Sequence, residues 1–144
     1  MLNIRPLQAS DADVVSKLLT TLGYAGTQPF IHSRIAQLLA HPDAELLVAT
    51  HGDAVVGLIS LHFIPQLALA GDFCRISYFC VDETNRGLGI GTALESYTVE
   101  LARARGCDRV EVHCHSRRVD AHRFYHRQGY TESPKYFAKS LIRS

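Results

Sequence analysis

The stretch that decides the fold is Val81-Asp82-Glu83-Thr84-Asn85-Arg86-Gly87-Leu88-Gly89-Ile90-Gly91, which leads from an apolar segment into a glycine-rich turn. Upstream, residues 75–81 are rich in β-branched and aromatic side chains, which favours a strand. Downstream, apolar side chains recur at helical spacing from Ile90 to Leu101, and Gly106 ends the run. The N–H groups at a helix start have no intrahelical partner and attract anions. The stretch therefore predicts a strand, an anion-binding turn and a helix, with glycine in the turn because a Cβ atom would hold a phosphate away.

The glycine spacing separates this turn from two related phosphate sites. Gly87, Gly89 and Gly91 read G-x-G-x-G, whereas a dinucleotide site requires G-x-G-x-x-G, and the Gly-Lys-Ser/Thr of a nucleotide P-loop does not follow. Arg86 adds a planar, permanently charged side chain that can grip phosphate oxygens. A glycine triplet alone is equally typical of a flexible surface turn, but the flanking strand and helix favour the phosphate site.

Two motifs resemble one enzyme family. Arg86, Gly89 and Gly91 form Arg-x-x-Gly-x-Gly, which resembles the signature of the GNAT N-acetyltransferases. The stretch Asp120-Ala121-His122-Arg123-Phe124-Tyr125-His126-Arg127-Gln128-Gly129-Tyr130 is similar to the family's Ala-x-x-Phe-Tyr-x-x-x-Gly-Phe/Tyr pattern. The resemblance covers nearly the whole chain, with its specific part confined to residues 81–130. It implies acetyl-CoA as the donor, with the pantetheine arm held by the backbone of Val81 and the diphosphate by Arg86, Gly87, Gly89, Gly91 and Thr92.

Length and composition limit the class of protein. The 144 residues fit one domain with its own core, and no repeat or low-complexity segment divides them. A net charge of +1 gives no electrostatic reason to expect nucleic acid as a partner. The apolar residues 58–70 are too few to span a bilayer and residues 1–6 do not resemble a signal sequence, so we expect no membrane partner and a cytoplasmic location. The sequence leaves the oligomeric state open, a homodimer included.

The cysteines form no Cys-x-x-Cys pair, so buried reduced thiols are expected at Cys74, Cys80, Cys107 and Cys114. His113, His115, His122 and His126 have spacings that tetrahedral zinc can use. His113 and His115 lie on a predicted strand, and His122 and His126 lie on a predicted helix. Nothing in the sequence brings these two pairs together, so no metal is expected.

Periodicity and turn residues predict the element order β, α, α, β, β, β, α, β, α, β. Strands are expected over residues 2–6, 45–51, 54–64, 73–81 and 109–114, and near 136–141. Helices are expected on residues 15–22, 31–39, 90–101 and 119–127. This order predicts an α/β fold with a mixed, mostly antiparallel sheet of six to seven strands flanked by about four helices. The resemblance implies a single GNAT domain over residues 1–144, with strands that splay apart at the acetyl-CoA site.

The resemblance also implies the chemistry. A neutral amine attacks the acetyl thioester, a tetrahedral oxyanion forms, and coenzyme A leaves as a thiolate. A backbone N–H from the strand containing Cys80 and Val81 is expected to hold the oxyanion. Tyr125 is expected to be the general acid, because a tyrosine with an unperturbed pKa of about 10 can protonate a thiolate whose thiol has a pKa of about 8.5. Phe124 and Gly129 of the same motif are interpreted as a core side chain and a helix cap.

The group that deprotonates the amine is left open. Many relatives carry glutamate where this chain has Tyr78, which we expect at the substrate site, and tyrosine is a poor base at neutral pH. Glu83, Tyr24 and ordered water are the alternatives. Arg118 stands where many relatives have asparagine, and it is expected to bind either an anionic group of the acceptor or the phosphates of coenzyme A.

The C-terminal third is most similar to the aminoalkylphosphonate N-acetyltransferases within the GNAT family. The residues that carry this similarity are Arg117, Arg118, Asp120 and the run from His122 to Tyr125. We therefore predict an acetyl-CoA-dependent N-acetyltransferase that acts on the primary amine of a small molecule by direct attack in a ternary complex. One alternative is acetylation of a protein N-terminus or lysine. The other is a non-catalytic acyl-CoA sensor of the same fold, which the absence of glutamate at position 78 keeps open.

Overall fold

The computed structural model describes residues 1–85, 87–113, 118–132 and 137–142, in two compact units, Met1–Val112 and His113–Ser144. The strands of the first unit are β1 (Leu2–Pro6), β2 (Ala44–His51), β3 (Ala54–Ile64), β4 (Phe73–Val81) and β5 (Arg109–Val112). Its helices are α1 (Ala12–Leu22), α2 (Ile31–Ala40) and α3 (Ile90–Ala104), with short 3₁₀ turns at Ala9–Asp11 and Glu83–Asn85. The second unit contains α4 (Val119–Arg127).

The strands form one sheet in the order β1-β2-β3-β4-β5. The first four strands pair antiparallel, and β5 pairs parallel to β4. A parallel neighbour requires a crossover connection, which α3 supplies between β4 and β5. The α/β class, the mixed and mostly antiparallel sheet and the four helices are therefore confirmed, while the described residues contain five strands rather than six to seven.

The missing strand is the one expected near residues 136–141. Residues 137–142 have no strand structure, and Phe137, Leu141 and Ile142 are exposed. A strand is stable when a neighbour completes its hydrogen-bond ladder and one of its faces is buried, and an apolar sequence alone supplies neither condition. β5 also ends at Val112 instead of reaching residue 114. Residues 114 and 136 lie outside the described residues.

The sheet of the first unit has a core on each face. On one face, α1 and α2 pack against residues that include Leu46, Val48, Leu58 and Cys80. The opposite face packs against α3 and includes Ile59, Leu61, Phe63, Cys74 and Ile76. Strands that are buried on both faces read as nearly continuous apolar runs, as β2 and β3 do in the sequence.

A β-bulge changes the direction of the side chains midway along β4. The β3–β4 register pairs Leu61 with Ile76 but Ser60 with Tyr78, so Ser77 is an extra residue on β4. Before the bulge, Ile76 belongs to the α3 core, and after it Cys80 belongs to the core of α1 and α2. Strict alternation would have turned both side chains to the same face.

The cysteine prediction is confirmed for Cys74 and Cys80, which are free and buried. Burial raises the pKa of the Cys74 thiol to about 12, so it packs as a small apolar group. Cys107 is free but half-buried, and Cys114 lies outside the described residues.

In the described ranges, none of the helices combines the length and apolar character that crossing a membrane requires.

A partly buried ion pair ties β1 to the start of α1. Arg5 Nη1 and Nη2 donate to the Asp11 carboxylate at 2.8 and 3.0 Å, and Gln8 N donates to Asp11 Oδ2 at 2.8 Å. These hydrogen bonds, first of all those from Arg5, lower the pKa of Asp11, although burial acts in the opposite direction. Because the pKa is lower in the folded state, this carboxylate stabilises the fold above the ordinary aspartate range, and the stabilisation is lost as the pH falls through the folded-state pKa.

We predict that Asp11→Asn lowers the free energy of unfolding at pH 7 by about 1–3 kcal/mol, because it leaves the Arg5 guanidinium without its charged acceptor. The difference from the wild type should shrink as the pH falls below the ordinary aspartate pKa and through the lower pKa of Asp11 in the folded state. Urea unfolding followed by circular dichroism at pH 7 and across this acidic range measures both effects. Asp53→Asn, at an exposed carboxylate in the β2–β3 turn, is the matched control. A pH-independent effect of Asp11→Asn would contradict the ion-pair explanation.

Candidate functional site

The turn that leads from β4 toward α3 is anchored by its backbone. Asp82 N donates to Val56 O on β3 at 2.8 Å, and Asn85 N donates to Asp82 O at 3.0 Å. The Asp82 carboxylate accepts hydrogen bonds from Thr84 N and Thr84 Oγ1, both at 3.1 Å. These bonds hold the start of the glycine segment at the end of the sheet.

The glycines of this segment adopt conformations that other residues rarely adopt. Gly87 has φ +87° and Gly89, the N-cap of α3, has φ +77°. The first α-helical hydrogen bond runs from Ala93 N to Gly89 O at 3.0 Å, so the N–H groups of Ile90 and Gly91 belong to the open first turn of the helix. Gly87, Leu88 and Gly89 are exposed. The arrangement leaves the positive end of α3 accessible to an anion. Arg86 lies outside the described residues.

The two glycines do not make room for other parts of the described chain. A Cβ atom at Gly87 or Gly89 would meet none of the described residues within 4 Å, so the space beside both glycines is open there. Their positive φ angles are the structural requirement, because L side chains are strained there. The same open space is what a phosphate close to the backbone would occupy.

Gly57, which was not predicted from the sequence, lies directly under the first turns of α3. A Cβ atom at Gly57 would lie 3.1 Å from Ile90 Cγ2 and 3.2 Å from both Cys80 O and Leu94 Cδ1. The first turns of α3 therefore pack directly on β3 where it pairs with Val81. A glycine within an apolar strand signals such a close approach, and this signal was available in the sequence.

β4 extends beyond its described pairing with β5 beside this turn. Residues 73–76 of β4 pair with residues 109–112 of β5, and β4 continues through residues 77–81. Val81 is half-buried at the end of this segment. Tyr78, within it, forms an edge-to-face contact with Tyr24, with ring centroids 5.2 Å apart. The structure thus brings together Tyr78 and one of the alternative bases, while Glu83 lies in the exposed 3₁₀ turn.

The second unit carries the other predicted site residues on α4. Arg118 is the exposed N-cap residue, and His122 N donates to Arg118 O at 3.1 Å. The Tyr125 ring lies edge-on to Phe124 and Tyr130, each with a centroid distance of 5.4 Å. Tyr125 is half-buried, and its carbonyl accepts hydrogen bonds from Gln128 N at 3.1 Å and Tyr130 N at 3.0 Å. Arg118 and Tyr125 thus share one helix, whereas Val81 and the glycine turn belong to the first unit.

The histidines of the predicted cluster are distributed over strand and helix ends. His113 is exposed after β5, His122 and His126 lie one turn apart on α4, and His115 is outside the described residues. Within the described ranges, no three His, Cys, Asp or Glu side chains are grouped closely enough to hold a metal ion.

Comparisons with known proteins agree with the two motifs. The model of the acetyltransferase (GNAT) family matches residues 14–130. An aminoalkylphosphonate N-acetyltransferase of Salmonella typhimurium is 34% identical over 140 residues, which cover 96% of this chain and 90% of the relative. The family match begins in α1 and ends at Tyr130, so it includes both the glycine turn and the α4 motif.

Solved structures share the fold. The crystal structure of a transcriptional regulator from Bacillus halodurans C-125 superposes with a TM-score of 0.89 at 24% identity, covering 98% of this chain and 100% of that chain. A Trypanosoma brucei acetyltransferase superposes with a TM-score of 0.83 at 25% identity, with 98% and 100% coverage. The family model, the Salmonella relative and the shared fold all agree. The chain therefore belongs to the GNAT family and is an acetyl-CoA-dependent N-acetyltransferase.

Proposed function

We propose that this enzyme transfers the acetyl group of acetyl-CoA to the primary amine of a small molecule that carries an anionic group, of the aminoalkylphosphonate class. The observation that carries the proposal is the 34% identity with an aminoalkylphosphonate N-acetyltransferase over 96% of the chain. The family match over residues 14–130 crosses the boundary between the two units, which supports a single acetyltransferase domain over residues 1–144.

The diphosphate of acetyl-CoA binds at the glycine turn in this proposal. The exposed turn, the positive φ angles of Gly87 and Gly89 and the open first turn of α3 support this location. Gly91 and Thr92, in that first turn, and the charged Arg86 complete the diphosphate site. The backbone of Val81, at the end of β4 beyond its described pairing with β5, holds the pantetheine arm.

The acetyl transfer proceeds by direct attack in a ternary complex. The amine nitrogen forms a bond to the acetyl carbon, and the C–S bond breaks with its electron pair on sulfur. Tyr125 then protonates the thiolate. The aromatic neighbours Phe124 and Tyr130 support this role because they hold the Tyr125 ring in one orientation on α4.

The anionic group of the acceptor binds Arg118, and Tyr78 lines the substrate site. The exposed guanidinium of Arg118 at the start of α4 can pair with two oxygens of a phosphonate or carboxylate. Such pairing would orient the amine toward the acetyl carbon and reduce the entropic cost of the reaction.

For the cofactor site, we predict that Gly89→Val and Arg86→Ala each weaken acetyl-CoA binding roughly tenfold or more, as expected for loss of about 1.4 kcal/mol of binding free energy. Valine would strain the turn and fill the space for the phosphate, whereas alanine removes a charge. Calorimetric titration measures the dissociation constant. Gly52→Val is the matched control, because Gly52 has φ +62° in a hairpin far along the chain from the turn. Unchanged affinity in both site variants would remove the diphosphate assignment.

For acid catalysis, we predict that Tyr125→Phe lowers kcat by about 10²- to 10⁴-fold with little change in acetyl-CoA affinity, because the ring is kept and the proton is lost. Thiol release measures turnover, and calorimetry measures affinity. Tyr97→Phe, at an exposed tyrosine on α3, serves as the control. Wild-type turnover of Tyr125→Phe would mean that solvent protonates the thiolate.

For substrate class, we predict that amines with a phosphonate or carboxylate have higher kcat/KM than matched neutral amines, polyamines and aminoglycosides. Arg118→Ala should abolish this preference, whereas Arg123→Ala, at an exposed arginine on the same helix, should keep it. Steady-state kinetics with matched amines provides the test. If Arg118→Ala instead raises KM for acetyl-CoA and leaves amine selectivity unchanged, Arg118 belongs to the cofactor site and the anionic-substrate proposal is wrong.

The same assay separates the other functions. Turnover of peptides in preference to small amines would favour protein acetylation. Tight acetyl-CoA binding without transfer to any amine or peptide would favour a sensor.

A further inference from the structure

A histidine and a serine form a close pair on the face of the sheet that packs against α1 and α2. His62 Nδ1 lies 2.6 Å from Ser77 Oγ, and both residues are half-buried. On β3, Leu61 and Phe63 point into the α3 core, so alternation turns the imidazole of His62 to the opposite face. The pair joins β3 to β4 within the first unit.

The serine of this pair is the bulge residue of β4. Because the register passes from Leu61–Ile76 to Ser60–Tyr78, Ser77 has no partner on β3. Ile76 faces the α3 core, so alternation turns the Ser77 hydroxyl to the face that carries His62, and the bulge lets Tyr78 follow on that same face. Bulges are frequent beside active sites. Ser77 is also the first residue of β4 beyond its described pairing with β5, in the segment that ends at Val81.

The surroundings of His62 favour its neutral imidazole. Burial lowers the pKa of His62, and electrostatic interactions with His41 and Arg75 lower it further. Arg75 is held in turn by Glu111 on β5, with Arg75 Nε donating to Glu111 Oε1 at 2.8 Å. On the other neighbouring strand, Ala44 pairs with His62 and contributes no charge. A neutral imidazole can accept a proton at neutral pH.

We propose that Ser77 and His62 form the proton relay that deprotonates the acceptor amine, an inference that rests on the proposed function. The amine gives its electron pair to the acetyl carbon and becomes acidic as the N–C bond forms. Its proton passes to Ser77 Oγ while the Ser77 hydroxyl proton passes to His62 Nδ1. The C–S bond breaks with its electron pair on sulfur, which takes the proton of Tyr125. The imidazolium then releases its proton to solvent, and the Tyr125 phenolate takes up one proton from solvent. Ser77 contacts the amine and is the catalytic residue, and His62 acts through it.

The relay requires one tautomer of His62. Nδ1 must accept a hydrogen bond from Ser77 Oγ, so the proton of the neutral ring must be on Nε2. We expect the ¹⁵N NMR signals of the His62 ring in the resting wild-type enzyme at pH 8 to show an unprotonated Nδ1. A protonated Nδ1 would overturn the proposal, because the ring would then donate to Ser77 and could accept no proton from it. This measurement does not depend on any variant or substrate.

Rate profiles against pH test the relay in the reaction. In the wild type, kcat/KM for the amine should rise as the pH rises through the pKa of His62, since the neutral ring is the active form. Ser77→Ala and His62→Gln should each lower kcat/KM by about 10²-fold or more, as is typical for loss of a general base. Both variants should also lose the rise of kcat/KM with pH on the acidic side of the profile, which we call the acidic limb. Their affinity for acetyl-CoA, measured by calorimetry, should be unchanged. His51→Gln, at an exposed histidine at the end of β2, should keep both the rate and the limb.

Three results would overturn the relay. The first is a wild-type rate and acidic limb in both variants. The second is a covalent acetyl group on Ser77 after incubation with acetyl-CoA alone, detected by mass spectrometry, which would make Ser77 a nucleophile. The third is wild-type enzyme that transfers acetyl to no primary amine, which refutes the proposed function and the relay together. Normal wild-type transfer with unaffected variants refutes the relay alone.

Discussion

The position of the glycine turn depends on the direct contact between the first turns of α3 and the sheet at Gly57. Ile90 and Leu94 are almost wholly buried there, and a single added carbon on Gly57 would lie 3.1–3.2 Å from them. Because protein interiors are packed about as densely as molecular crystals, the helix cannot slide along the sheet without opening a void, and emptying one such site costs about 2–5 kcal/mol. The first turn of α3 is therefore held at a constant position beside the end of β4.

The strand β4 links this contact to the face of the sheet that packs against α1 and α2. Its bulge at Ser77 lets one strand contribute Ile76 to the core under α3 and Cys80 to the core under α1 and α2. The Ser77 hydroxyl lies on the α1 and α2 face, 2.6 Å from His62 Nδ1. In the described residues, β5 pairs with β4 only as far as Ile76. The bulge and the Ser77 hydroxyl thus lie where the described pairing with β5 ends.

Much of the fold follows from local sequence. The strands over residues 2–6, 54–64 and 73–81 and the helix over residues 119–127 have the bounds that apolar patterning and turn residues predict. The prediction was wrong near residues 136–141, where an apolar segment forms no strand in its described part. A helix completes its hydrogen bonds within its own segment, whereas a strand completes them on a neighbour, so strand formation depends on residues that are distant in the sequence. This difference explains why the strand count, and not the helix count, was overestimated.

The sequence by itself determined the glycine turn, the helix that follows it and the placement of Arg118 and Tyr125 on one helix, because each of these depends on neighbouring residues. It also contained the signal at Gly57, a glycine inside an apolar strand. Only the tertiary structure decided that Tyr24 meets Tyr78 and that His62 meets Ser77, 15 residues apart in the chain. Those contacts follow from the β3–β4 register and its extra residue. When a strand is buried on both faces, its sequence is apolar throughout, so a bulge cannot be recognised from the sequence pattern. The direction of each side chain beyond the bulge is therefore decided by strand pairing.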